Sequence, residues 1–367
     1  MKTKYKFAEK ILLNKNSYMS KFIFFPLSLV WSFLHQIRRT LYDYQIIPQD
    51  IFRVPIISVG NITFGGTGKT PMVIHLIEHL NSLNLNILVL SRGYGGQLEH
   101  SCGILKAHQR FRSNPLEFGD EPLLIARRIN KGAIMVGKKR SQNFKNNFHH
   151  LKPDVVLLDD GFQYLKLFRH LDILLFDATM PLSAYHCAPL GYLRESLSTI
   201  KKANCIMISR ANLVSKADLK KLMNFLDEHR NPHSTITLVE YRPTGLFNCY
   251  DTKMYDLSQL DGLKVIALSA LGSPSAFYQT LENFGMLVVK KYEYPDHHFY
   301  HAEEISQIFN DALIQNAIIV TTEKDMVKIK RISHDRRILY LGLETIMGDG
   351  KDNFYKHLKE VLDFEQI

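Results

Sequence analysis

Gly65-Gly-Thr-Gly-Lys-Thr70 has the residue types and order needed to cradle a chain of phosphates. In such a turn the backbone N–H groups and the positive end of the following helix surround an anion. Lys69 would reach the outer phosphates and Thr70 would offer its hydroxyl to Mg²⁺. The common form of the motif begins with a glycine five residues before Gly68; here that position is Thr63, followed by Phe64. The candidate nucleotide-binding run is therefore Thr63, Phe64, Gly65, Gly66, Thr67, Gly68, Lys69 and Thr70.

Two carboxylates, Asp159 and Asp160, close the apolar run Val155-Val-Leu-Leu158. At the carboxyl end of a parallel strand, Asp159 is placed to hold Mg²⁺ directly or through water. Asp160 serves the metal or positions a substrate hydroxyl, and the plainer alternative is a strand ending in a polar turn. Asp120, in Phe118-Gly-Asp-Glu-Pro122, is either the N-cap of the next helix or a general base for a hydroxyl nucleophile. Ser91-Arg-Gly-Tyr-Gly-Gly96 is a glycine turn that can bring backbone close to a ligand. Gly137-Lys-Lys-Arg140 and Gly191-Tyr-Leu-Arg-Glu195 supply cations suited to phosphate, although most arginines are solvated surface. Tyr294-Pro-Asp-His-His-Phe-Tyr-His301 gathers three histidines at no familiar metal-ligand spacing, which favours one histidine working with a carboxylate. In Thr321-Thr-Glu-Lys-Asp325, Thr322 and Asp325 read as a helix-capping pair.

The elements that must position these groups follow from periodicity. Ile56–Val59 reads as a buried strand, and Val73, Leu76, Ile77, Leu80 and Leu83 mark one face of the helix after the glycine loop. Pro71 falls in its first turn, where proline costs no hydrogen bond. Further strands read at Asn86–Leu90, Ala133–Val136, Val155–Leu158, Ile173–Phe176 and Ile206–Ser209, with helical segments between several of them. That alternation predicts a parallel sheet covered on both faces. The register changes near Thr235–Tyr241, and a smaller α/β portion follows, with strands at Val265–Leu268, Leu287–Lys290, Ala317–Val320 and Ile338–Leu341. The expected organisation is residues 1–45, an N-terminal basic and apolar segment; 46–234, a nucleotide-binding α/β domain; and 235–367, a C-terminal α/β domain.

At 367 residues, 46% hydrophobic and 22% charged, the composition is that of a folded globular protein. Of the net charge of +10, residues 1–53 contribute +6, from nine Lys and Arg against three acids. That asymmetry points to an anionic surface near the N-terminus. Cys102, Cys187, Cys205 and Cys249 are scattered, with no C-x-x-C, which argues against a disulfide framework or a zinc site. Phe22–Leu34 is apolar but too short to span a bilayer, and His35-Gln-Ile-Arg-Arg39 stands where a signal peptide would be cleaved. From Pro26, the residues Leu27, Val30, Trp31, Leu34, Ile37 and Leu41 recur at helical spacing, with Lys15 and Lys21 before them and Arg38 and Arg39 after. The pattern predicts an amphipathic helix lying in a membrane interface; an ordinary core helix is the alternative.

Taken together these stretches resemble the tetraacyldisaccharide 4′-kinases. The residues that carry the resemblance are Val59–Pro71, Ser91-Arg-Gly-Tyr-Gly95, Gly119-Asp-Glu-Pro122, Leu158-Asp-Asp-Gly-Phe-Gln163, Leu193-Arg-Glu195, Pro295-Asp-His-His298 and Thr322-Glu-Lys-Asp325. The resemblance implies a P-loop kinase-like core with a parallel sheet, a second smaller α/β domain and an N-terminal helix that dips into the membrane. It implies ATP and Mg²⁺ as cofactors. The acceptor would be the 4′-hydroxyl of an acylated disaccharide 1-phosphate, on the cytoplasmic face of the bacterial inner membrane. By analogy Asp120 is the base and His297 its partner, with closure of the two domains bringing them together. Lys69 and Thr70 bind phosphates and metal; Asp159, Asp160 and Glu195 place metal and substrate; Arg140 and Arg194 stabilise the transferring charge. One departure stands out: Tyr164 follows Asp-Asp-Gly-Phe-Gln where the family usually has histidine.

The rival reading is a partition or membrane-switch ATPase, which shares the glycine loop but carries a lysine just before it, where this chain has Phe64. No nucleic-acid module is recognisable, so no nucleic-acid partner is expected, and the working form is expected to be a monomer.

Overall fold

A computed structural model describes residues 18–109, 113–272 and 274–363. Of the basic residues counted near the N-terminus, Lys2, Lys4, Lys6, Lys10 and Lys15 lie outside the described residues. Contacts divide the chain into two compact units that interleave along the sequence: Met1–Lys69, Val155–Glu240 and Met347–Ile367 form one, Thr70–Asp154 and Tyr241–Ile346 the other.

In the first unit, strand Ile56–Gly60 lies between Val155–Asp159 and Leu171–Asp177, parallel to both. Leu171–Asp177 pairs in turn with Cys205–Ser209, and that strand pairs with the opening residues of Thr235–Asn248, again parallel. Every residue of Ile56–Gly60, Val155–Asp159, Leu171–Asp177 and Cys205–Ser209 is buried. Both faces of the sheet are therefore covered, as near-continuous apolar strands require. Ile62, Phe162, Leu174, Phe176, Leu193 and Ile206 share one apolar cluster. Because all these strands run the same way, Asp159 and the glycine turn leave the sheet from the same edge.

The second unit carries Ile87–Ser91 parallel to Gly132–Val136. Gly103–Lys106 pairs antiparallel with the latter, a strand absent from the periodicity because only four residues form it. Leu287–Glu293, Lys264–Ser269, Ile318–Thr322 and Ile338–Met347 make a further parallel set. Helices Asp120–Ala126 and Glu323–Ile329 belong to the same unit, which an ion pair of 2.6 Å between Arg128 and Glu323 helps to hold. The helix after the glycine loop runs Lys69–Ser82 and buries Met72, Val73, Leu76, Ile77 and Leu80. Leu83, expected on that face, lies past its end and is exposed.

The N-terminal helix, Tyr18–Asp43, is inside-out relative to an ordinary surface helix. Phe25, Leu27, Leu29, Val30, Phe33 and Leu34 are all more than half exposed, while Ser28 and Arg39 are buried and Ser32 and His35 partly so. Those four residues, spaced four, three and four apart, form the docked stripe. Ser28 Oγ donates to the Cys187 carbonyl at 2.8 Å and Trp31 Nε1 to the Arg194 carbonyl at 2.8 Å. The polar face holds the helix to the protein and the apolar face looks outward, so the core-helix alternative does not hold. No helix among the described residues is long and apolar enough to cross a membrane.

Candidate active site

The phosphate loop departs from the common motif for a visible reason. Phe64 N–H donates to the Tyr192 carbonyl at 2.8 Å and Arg194 N–H to the Ile62 carbonyl at 2.7 Å, so Thr63 is paired as a short antiparallel bridge with Leu193. An extended residue needs no glycine. Left-handed backbone begins only at Gly65 (φ 100°) and returns at Gly68 (φ 86°), and both positions are glycine. Ser209 Oγ donates to the Thr67 carbonyl at 2.9 Å, and Arg210, paired with Asp177, donates to the Gly66 carbonyl at 3.2 Å. The loop is thus braced from the neighbouring strand end.

Lys69 Nζ stands 3.2 Å from Asn61 Oδ1 and 3.5 Å from Asp160 Oδ1. Arg194 Nη1 lies 3.3 Å from Asp160 Oδ2, and its guanidinium carbon is 5.4 Å from the centre of the Phe64 ring. Asp160 adopts a left-handed conformation (φ 47°), which turns its half-exposed side chain between the two cations. Asp159, one residue earlier, is buried at the end of its strand. Among the described residues no group of three or more histidine, cysteine or carboxylate side chains forms a metal cage. Mg²⁺ bound with a nucleotide takes most of its ligands from phosphates and water and one or two from the protein. Glu195 is fully buried; its Oε2 accepts from Arg39 Nε at 2.7 Å, while Oε1, 3.7 Å from His35 Nδ1, has no hydrogen-bond partner among the described residues.

In the other unit, Asp120 opens helix Asp120–Ala126, and the N-cap position belongs to Gly119, so capping does not account for the carboxylate. His297 Nδ1 lies 3.2 and 3.1 Å from the two Asp120 oxygens. A carboxylate only accepts, so Nδ1 carries the proton. Lys324 and Lys328, one turn apart on helix Glu323–Ile329, bring Nζ to 3.9 and 3.8 Å from Asp120 Oδ2. Burial works to raise the Asp120 carboxyl, but the His297 hydrogen bond and the two lysines outweigh it and hold the carboxyl at about 2. The same hydrogen bond raises His297 against its burial and the Lys324 charge. His297 also has positive φ (60°), an uncommon conformation for a residue with a side chain. The Ser91–Gly96 turn serves this site: a Cβ on Gly96 would come within 2.7 Å of the Gly119 nitrogen, and Tyr94 places its ring 5.4 Å from His297.

A family model described as tetraacyldisaccharide-1-P 4′-kinase matches residues 20–363. The chain belongs to the tetraacyldisaccharide 4′-kinase family. The tetraacyldisaccharide 4′-kinase of Halothermothrix orenii is 33% identical over 348 residues, covering 89% of this chain and 90% of the relative. That of Bdellovibrio bacteriovorus is 29% identical over 339 residues, covering 92% and 98%. The crystal structure of an LpxK from Aquifex aeolicus in complex with ATP aligns with a TM-score of 0.73 at 25% identity, covering 92% of this chain and 98% of that one.

Several residues of this tetraacyldisaccharide 4′-kinase family member escaped the motif reading. Lys324 and Lys328 are the main ones: Thr322 does cap its helix, accepting from Asp325 N–H at 3.1 Å, but the neighbouring lysines carry the charge toward Asp120. Their i, i+4 spacing was the available signal. Asn61 beside Lys69 and Arg39 beside Glu195 were also missed. Of the three histidines after the strand, only His297 faces Asp120. His298 pairs with Glu304 at 3.0 Å and stacks on Tyr294, and His301 N–H binds Glu304 at the start of the next helix. Arg140 is buried at the start of helix Arg140–Leu151, and Tyr164 lends its carbonyl to Arg169 at 3.1 Å.

Proposed function

We propose that this chain is an ATP-dependent kinase that phosphorylates the 4′-hydroxyl of a tetraacyldisaccharide 1-phosphate in lipid A biosynthesis. The observation that carries the reading beyond family membership is the Asp120–His297 pair. A nucleotide-gated switch has no need of an imidazole-backed carboxylate, whereas a sugar alcohol must lose a proton to attack phosphorus.

In the proposed reaction the 4′-oxygen forms a bond to the γ-phosphorus of ATP and the bond to the β,γ-bridging oxygen breaks, releasing ADP. The hydroxyl proton goes to Asp120. A carboxyl held at about 2 is ionised at neutral pH, hence ready to accept. Its weakness as a base is tolerable because a loose phosphoryl transition state moves that proton late. His297 keeps the carboxylate oriented, and Lys324 and Lys328 keep it ionised. Lys69, Arg194 and Arg140 are assigned to the phosphates, with the Thr63–Thr70 loop around them. Mg²⁺, when bound, neutralises charge on the phosphates; Thr70 and Asp159 would hold it, with Asp160 and Glu195 placing metal or substrate.

The exposed apolar strip of the N-terminal helix supports a peripheral site of action on the inner face of the bacterial inner membrane, where a many-chained lipid acceptor resides. The chain division that goes with this reading is 1–45 for the membrane, 46–234 for the nucleotide and 235–367 for the second α/β portion, acting as a monomer. The deciding experiment incubates the protein with γ-labelled ATP, Mg²⁺ and tetraacyldisaccharide 1-phosphate in detergent micelles and maps the product. Label at the 4′-position supports the reading. Nucleotide hydrolysis with dimerisation and no labelled lipid would establish the switch ATPase instead.

A further inference from the structure

The docked face of the N-terminal helix does more than attach it. Arg39 sends Nε and Nη2 to Glu195 Oε2 at 2.7 and 2.6 Å, in a pair whose side chains are 8% and 1% exposed. Its Nη2 also donates to the Phe162 carbonyl at 3.1 Å, and its guanidinium carbon lies 4.7 Å from the Phe162 ring centre. Glu195 adjoins Arg194, whose carbonyl accepts from Trp31 and whose guanidinium reaches Asp160, the carboxylate beside Lys69. A second route starts from the preceding residue of the helix. Arg38 donates to the Gln163 carbonyl at 3.2 Å, Gln163 Nε2 to the Asn61 carbonyl at 2.7 Å, and Asn61 Oδ1 accepts from Lys69. Both routes run from one turn of a lipid-facing helix to the phosphate-loop lysine. Burying a guanidinium and a carboxylate is costly unless they are closely paired, and simple anchoring to a membrane needs no such pair.

We propose that Arg39 is a positioning residue for the nucleotide site, acting through Glu195 and Arg194, so that nucleotide binding and membrane binding are linked through this helix. The inference rests on the kinase reading and deepens it. Seating the helix in a bilayer holds the Arg194–Glu195 segment, and with it Asp160 and Lys69, in the arrangement that grips phosphates. Linkage is reciprocal, so vesicles and ATP strengthen each other's binding by one common factor.

Trp31 is the only tryptophan in the chain and donates to Arg194, so its emission reports directly on this contact. The test measures Mg·ATP affinity with a fluorescent ATP analogue, with and without vesicles of acidic phospholipid, alongside Trp31 emission and turnover. The expected wild-type result is an ATP affinity about fivefold or more tighter on vesicles, the same factor in the reverse titration, and a change in Trp31 emission on adding ATP. Arg39→Lys keeps the charge but not the fork; it is expected to bring the linkage factor to about one and abolish the emission change. Its vesicle affinity without nucleotide is expected to stay near wild type, because Arg39 lies off the exposed face. Arg39→Gln serves as a second variant, and urea unfolding of both separates lost folding from lost linkage. A wild type that turns over ATP with a factor of one, or an Arg39→Lys variant that keeps the full factor, overturns the inference alone. A wild type that binds no ATP overturns the kinase reading and this inference with it.

Discussion

The Asp120 carboxylate and the His297 imidazole, 177 residues apart in the chain, meet at 3.1 Å within one compact unit. No closing movement is needed to bring them into hydrogen-bond range. Two lysines from a third segment complete the setting, so Asp120 is a deeply buried anion facing His297, Lys324 and Lys328, with the Glu121 N–H also donating to it at 2.9 Å. Asp120→Asn should lower kcat by ~10²–10⁴-fold, the usual contribution of a general base. ATP affinity should stay within about twofold of wild type, and unchanged turnover would remove Asp120 from the mechanism.

The pair also sets opposite pH dependences for stability. Asp120 lies below its ordinary 3.8, so the stabilisation it brings is whole above that value and is lost as pH falls through about 2. His297 is raised above 6.5, so its contribution is whole below pH 6.5 and is lost as pH rises through the folded value. The difference in urea stability between wild type and His297→Asn should therefore be larger at about pH 6 than at about pH 9. Asparagine tolerates the left-handed backbone at this position, so the comparison is not confounded by strain. A histidine NMR titration of Asp120→Asn should show His297 falling, because burial and Lys324 then act without the opposing hydrogen bond.

Gly68 tests the loop. With φ at 86°, Gly68→Ala should cost about 1–2 kcal/mol of stability and weaken ATP binding, read by urea unfolding and nucleotide titration. Thr63→Gly should do neither harm nor good to the loop's shape, since Thr63 is extended and bridged to Leu193. A Gly68→Ala variant with wild-type stability and affinity would mean that the left-handed turn is not required.

The outward strip of the N-terminal helix predicts its own phenotype. Phe33→Ser with Leu34→Ser should weaken partition to anionic vesicles by about 10²–10⁴-fold, from about 1.5–3 kcal/mol for each of the two side chains. Both residues are more than half exposed, so urea stability in detergent-free buffer should not fall. Equal vesicle binding by this variant and wild type would refute the membrane assignment.

Much of this was legible because it is written locally. The strand, glycine turn and helix around Lys69 lie within one short stretch, and Asp159 follows an apolar run whose strand ends where the run does. Strand expectations such as Ile206–Ser209 and Val265–Leu268 fall within a residue of Cys205–Ser209 and Lys264–Ser269, since buried parallel strands read as unbroken apolar runs. What stayed hidden depends on partners far along the chain. Nothing near Lys324 or Lys328 points to Asp120, and nothing near Glu195 points to Arg39. The helical period in residues 27–41 marks two faces without saying which is docked. Only the buried Ser28 and Arg39 decide that it is the polar one.

That reversal has a practical corollary for anyone handling the protein. Among the described residues nothing covers the greasy ridge from Phe25 to Ile37, so in plain aqueous buffer a neighbouring molecule is expected to do so. Clusters formed under those conditions would be the ridge hiding from water. A mild surfactant or a lipid film should dissolve them into single chains, each with its ridge already occupied.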